Sequence, residues 1–267
     1  SEDGEGVADT GDKVTITGDN FGTDPSDISV SFNGTPAEFE LVDESTIVAT
    51  TPADYQTGSV TVTIHGYTMT GGAMFNPNSK GDVTVLYLQN YKQPFAKAND
   101  ESWKNGEWWT PAVWNQNAAS FNAKGNTTVS GMQYKSEEGL TLAFQNGWDK
   151  EAYTNGKMWQ VATLRPGKYR LEVTYAYTLV VTDAGNFISV LIAKGDSESD
   201  IPNVADLEQL NGVYVAYDKM GTANDSGTLV TPSFEVTETT DVVIGFLTSL
   251  AKGNSYFKVT ELKLILE

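Results

Sequence analysis

The chain has 267 residues, enough for two domains of ordinary size, and 39% of them are apolar and 11% aromatic, a composition that buries a core and excludes a disordered chain. Thirty-five Asp and Glu against 17 Lys and Arg give a formal charge of -18, which repels phosphate backbones and anionic headgroups and argues against nucleic-acid and peripheral membrane binding. The absence of cysteine excludes disulfides, thiol catalysis and thiolate metal sites.

The opening Ser1-Glu-Asp-Gly-Glu-Gly6 is acidic and reads as a tether, without the basic and apolar regions of a signal peptide. From Gly11 to about Phe75 short stretches of period two follow one another. Val14 and Ile16, then Ile28, Val30 and Phe32, then Val60, Val62 and Ile64 each place apolar side chains on one face and Thr, Ser or Asn on the other. Turn formers separate them at Gly18-Asp-Asn-Phe-Gly22, Asn33-Gly34, Thr51-Pro52 and Thr57-Gly58. A small antiparallel sandwich is expected, with Phe21 folding back over its core.

Gly-Asp-Lys-Val-Thr-Ile-Thr-Gly-Asp-Asn-Phe-Gly (11 to 22), Val30-Ser-Phe-Asn-Gly34, Ser45-Thr-Ile-Val-Ala-Thr-Thr-Pro52 and Gly58-Ser-Val-Thr-Val-Thr-Ile64, in that order, resemble the IPT/TIG family of immunoglobulin-like domains. The resemblance implies a spacer or assembly module over residues 1 to 76. The lone His65, in phase with Thr61 and Thr63, is expected on the polar face of a strand, and a single histidine rules out histidine triads and multi-histidine zinc sites. Asn76-Pro-Asn-Ser-Lys-Gly-Asp82 has the composition of a linker.

Residues 83 to 267 then read as a larger β-sandwich of jelly-roll type. Strands are expected at 83 to 88, 140 to 145, 158 to 164, 168 to 181, 187 to 193, 213 to 217, 229 to 236, 242 to 248 and 255 to 266. In the last, Phe257 and Val259 keep one parity and Leu262, Leu264 and Leu266 the other, so a one-residue bulge near Thr260 or Glu261 is required for both groups to face inward. Short helices are expected at Pro94 to Asn99 and Asp200 to Leu210.

Trp103, Trp108, Trp109 and Trp114 crowd into twelve residues, interleaved with Asn105, Asn115 and Gln116, and Trp148 and Asp149 follow in an Asn-Gly turn. An indole face flanked by amides and carboxylates matches a pyranose ring, whose C–H patches are ringed by hydroxyls. These residues, with Tyr153, are the candidate glycan-binding set. The competing reading makes the loop tryptophans plugs across the mouth of a sandwich, and Trp159, in phase with Val161, is expected in the core.

Glu101, Glu107, Asp149 and Glu151 near the cluster leave a glycosidase as a minor alternative. Asp196-Ser-Glu-Ser-Asp200 reads as a solvated acidic loop, and no metal or other cofactor is expected. The pairing of the two segments resembles the surface lipoproteins with which Bacteroidetes-type bacteria capture polysaccharides. It implies a non-catalytic, monomeric, extracellular or surface-anchored protein whose partner is a polysaccharide or oligosaccharide. The alternative is a structural or adhesive surface protein that binds another protein, with its tryptophans buried.

Overall fold

The structure, a computed structural model, describes residues 6–98, 108–121, 130–146, 152–180, 186–209, 216–220, 226–251 and 255–267. The protein is all-β, and its chain divides into two compact units, Ser1–Gly81 and Asp82–Glu267.

The first unit is an immunoglobulin-like sandwich of β1 (Gly6–Val7), β2 (Lys13–Thr17), β3 (Ile28–Phe32), β4 (Thr35–Ala37), β5 (Phe39–Asp43), β6 (Thr46–Thr50), β7 (Gly58–Ile64) and β8 (Tyr67–Phe75). One sheet runs β1-β8-β7-β3-β4 and the other β2-β6-β5. The alternating residues Ile28, Val30, Phe32, Ile47, Ala49, Val60 and Val62 fill the space between them. Phe21 does return over this core and is buried, and its ring lies so close to Gly18 that a Cβ there would meet it at 2.6 Å.

Two hairpins turn on left-handed pairs, Asn33-Gly34 (φ 45° and 83°) and His65-Gly66 (φ 48° and 84°), the geometry that matches the twist of flanking strands. His65 is therefore exposed, but in a turn rather than on a strand face. Its Nδ1 lies 3.3 Å from the Asp27 carboxylate.

After β9 (Gly81–Asp82), the second unit comprises β10 (Trp108–Trp109), β11 (Asn115–Gln116), β12 (Ser130–Lys135), β13 (Gly139–Asn146), β14 (Tyr153–Leu164), β15 (Gly167–Leu179), β16 (Phe187–Lys194), β17 (Ala216–Met220), β18 (Ser226–Val230), β19 (Phe234–Val236), β20 (Thr240–Leu250) and β21 (Ser255–Leu266). The larger sheet runs β10-β12-β13-β21-β15-β18, with β19 also on β15, and the smaller runs β11-β14-β20-β16-β17. Between them lies a core that includes Leu142, Phe144, Leu171, Val173, Tyr175, Ile244, Phe246, Phe257 and Val259.

The expected bulge is present: Thr174 pairs with Glu261 and Tyr175 with Val259, so Thr260 is the extra residue. Phe257, Val259, Leu262 and Leu264 are all fully buried as a result. The Pro-Gly turn before β15 is locked by the Tyr169 hydroxyl, which donates to the Arg165 carbonyl at 2.9 Å.

Several expectations need correction. Residues 83 to 88 hold a one-turn helix, α1 (Thr84–Tyr87), because Asp82 caps its start: its carboxylate accepts from the Thr84 N–H and hydroxyl. The segment from Pro94 is not helical; it lies beside residues 110–112, with Ala98 N–H donating to Thr110 and Ala112 N–H to Ala96. Of the helix expected at Asp200 to Leu210, Leu210 lies outside the described residues and the rest forms only tight turns at Glu198–Asp200 and Val204–Gln209. These place Ile201, Val204 and Leu207 on the outer face of the smaller sheet, against Trp159, Leu191, Val243 and Leu247. A second short helix, α2 (Ala118–Phe121), and the strand β12 had no expectation behind them.

Candidate functional site

Trp103, Asn105, Trp148 and Asp149 lie outside the described residues, as do Glu101, Glu107 and Glu151. The other candidates are dispersed. Trp114 is 5% exposed, stands 5.9 Å from Phe246 in the core, and donates its indole N–H to the Asn90 carbonyl at 3.0 Å. Tyr153 is buried, and that burial pushes its hydroxyl above the ordinary tyrosine range. Neither presents a ring face to solvent, which corrects their reading as platforms: both fill the space between the sheets.

Asn115 and Gln116 are architectural. Asn115 donates to the Trp159 carbonyl at 3.4 Å, and Gln116 donates to the Ser130 carbonyl and hydroxyl at 3.2 and 3.1 Å, tying the edge of one sheet to the other. Trp159, as expected, is core.

Trp108 and Trp109 separate cleanly because neighbours on a strand face opposite sides. Trp109 pairs with Met132 and packs on the inter-sheet core, whereas Trp108 pairs with Gln133 on the outer face of the larger sheet. Trp108 is only 3% exposed there, so it too is a wall and not a free platform.

The register defines what shares that outer face. Gln133 lies directly across from Thr141, and Gly131 from Ala143. Ala143 pairs in turn with Lys258, and Gln145 with Tyr256; Lys258 pairs with Ala176. Trp108, Gln133 and Thr141 thus form one row, and the small residues Gly131, Ala143 and Ala176, interrupted by Lys258, form the next.

This face carries unusual polarity for its burial. Gln133, Thr141 and Lys258 are 3%, 0% and 5% exposed. The Gln133 Oε1 and the Thr141 Oγ1, on residues paired in register, have no hydrogen-bond partner among the described residues. Each such orphan costs about 1–3 kcal/mol.

Lys258 is paired: its Nζ binds the Glu138 carboxylate and stands 5.6 Å from the centre of the Tyr256 ring. Glu138 is held in the β12–β13 turn, its carbonyl accepting from Gln93 Nε2 at 2.8 Å. The face thus offers an acceptor, a hydroxyl, a neutralised ion pair, an amide at Gln145 and aromatic walls. No group of side chains suited to a metal ion occurs among the described residues.

This face is hard to see in the sequence because the inward phase of each strand carries the stronger apolar pattern. The signal was the other phase: Gln133, Thr141, Ala143 and Gln145, then Tyr256 and Lys258. The acidic run 196–200 is a capping device, in which the Asp200 carboxylate accepts from the N–H of Asp196 and Ser197 and from the Ser197 hydroxyl, bonds that hold its carboxyl below the usual range.

Architecture and site together define an immunoglobulin-like module followed by a β-sandwich with a polar, aromatic outer face. The chain belongs to the family described as a domain of unknown function, DUF5013, whose model matches residues 89–245, and residues 5–79 match the IPT/TIG domain. No curated protein matches the chain in sequence.

Among solved structures it is similar to TmCBM61 in complex with β-1,4-galactotriose (13% identity, 67% of this chain and 100% of that one, TM-score 0.38). It is also similar to the CBM22-1 xylan-binding domain of Paenibacillus barcinonensis Xyn10C (12%, 64% and 97%, TM-score 0.32). A third is the arabinose-bound α-L-arabinofuranosidase MgGH51 (9%, 70% and 26%, TM-score 0.39). The likeness is loose. No helix among the described residues is long and apolar enough to cross a membrane.

Proposed function

We propose that this protein is a non-catalytic glycan-binding protein of a polysaccharide-capture system, with the outer face of the larger sheet as its binding face and the immunoglobulin-like unit as a spacer. The observation that carries this reading is the register-paired row Trp108–Gln133–Thr141, where two buried oxygens lack partners among the described residues beside an indole. Sugar hydroxyls supply both donors and acceptors, and sugar C–H faces suit Tyr256, which is partly exposed on the same face. The same reading puts the protein outside the cell, where polymeric glycans are met. Trp103, Asn105, Trp148 and Asp149 remain proposed as further contacts.

A second reading, an adhesive or structural surface protein, draws support from the burial of Trp108, Trp114 and Trp159 at 3%, 5% and 8% exposure. Affinity electrophoresis against neutral galactans, xylans, mannans and glucans separates the two. The glycan reading expects retardation by at least one polymer, lost in Gln133→Met. Free migration through every gel is the outcome expected of the second reading and counts against the first.

A further inference from the structure

Resting on the glycan reading, we infer that this face takes uncharged glycans and that Glu138 is the specificity-determining residue that keeps acidic ones out. A lysine side chain on a sugar-binding face would by itself favour uronates and sulfated sugars, whose anionic groups would complete its hydrogen bonds. Here the ammonium is already spent. Lys258 Nζ binds the Glu138 carboxylate, and the two side chains are only 6% and 19% exposed. Lys135, half-buried on the same strand phase as Gln133, is itself engaged.

Glu138 is also fixed in place: its N–H donates to the Lys135 carbonyl at 3.1 Å and its carbonyl accepts from Gln93. A carboxylate entering the face would either stand against Glu138 or displace it from Lys258. The first is like-charge repulsion in poorly solvated surroundings, and the second strands a buried anion; both weaken binding strongly. The net charge of -18 adds a longer-range repulsion in the same direction. An uncharged pyranose meets neither barrier.

The test uses polysaccharides matched in backbone and differing in charge: polygalacturonate and its carboxyl-reduced form, alginate and its carboxyl-reduced form, and carboxymethyl and hydroxyethyl cellulose. Affinity electrophoresis and calorimetry are run at low and at physiological salt, with neutral galactan and xylan alongside. The wild-type protein is expected to bind at least one uncharged polymer, and its acidic counterpart at least 10-fold more weakly. Glu138→Gln, which leaves Lys258 unpaired, is expected to narrow that gap at least 10-fold in a salt-sensitive way. Glu137→Gln, the same charge change on an exposed neighbour, is expected to leave it.

Equal or tighter binding of an acidic polymer by the wild type overturns the inference, and so do equal shifts in the two variants. If Glu138→Gln loses its near-ultraviolet circular dichroism, the wild-type comparison decides alone. Binding to no polymer at all removes the glycan reading itself, a result distinct from binding without discrimination.

Discussion

Replacing Thr141 by valine tests the outer-face row from two directions at once. The side chain keeps its shape and loses a hydroxyl that is fully buried and without a partner among the described residues. An unmade buried hydrogen bond costs about 1–3 kcal/mol, so the free protein is expected to gain at least about 1 kcal/mol, which raises the melting temperature of a unit this size by about 2–4 °C per kcal/mol. Glycan binding should move the other way. Loss of one net hydrogen bond of about 0.5–1.5 kcal/mol weakens affinity about 2- to 13-fold.

All six tryptophans lie in the second unit, so their fluorescence during urea denaturation reports that unit alone. Calorimetry with the best-retained polymer reads the affinity. A destabilised variant would show that the hydroxyl is already bonded in the free protein and would refute the argument. Raised stability with unchanged affinity would show that the ligand does not touch this row.

Trp114→Ala should cost about 3–5 kcal/mol in urea denaturation, since it empties a core position and strands the Asn90 carbonyl; a loss under 1 kcal/mol would mean that Trp114 is a surface group after all. Glu267→Gln should reduce acid tolerance. Hydrogen bonds from Arg170, Ser233 and Lys168 hold the Glu267 carboxyl at about 2 in the folded protein, against 4.5 ordinarily. A depressed carboxyl stabilises above its unfolded value and loses that contribution as pH falls through the folded one. The wild-type advantage in thermal midpoint should therefore be full above about pH 4.5 and gone near pH 2, and equal midpoints at pH 7 would refute it.

The legible parts of this fold are those in which one residue position has one dominant energetic task. Phe257 and Val259 against Leu262, Leu264 and Leu266 force a bulge because a slip of one residue would expose a whole apolar set, and Thr260 absorbs it. Leu164-Arg-Pro-Gly-Lys-Tyr169 announces a turn followed by a strand, and Tyr169 closes it. Val83 to Leu88 misleads because its apolar residues suit either element, and the deciding contact is a capping bond from Asp82 that period cannot register. The tryptophan loop misleads in a related way. Indoles serve cores and sugars equally well, and which task Trp108 and Trp109 perform depends on the strand partners Gln133 and Met132, some 25 residues on.

The face that carries the functional reading was hard to see for a further reason. Thr141, Ala143 and Gln145 read as the solvated side of a strand, the default for small and polar residues alternating with Leu142 and Phe144. Only the register, which lines Thr141 up with Gln133 and Trp108, and the burial of all three make that ordinary side the candidate site. A polar row costs nothing when it is wet. Buried and unpartnered it costs several kcal/mol, and a ligand that restores its hydrogen bonds recovers part of that cost on binding.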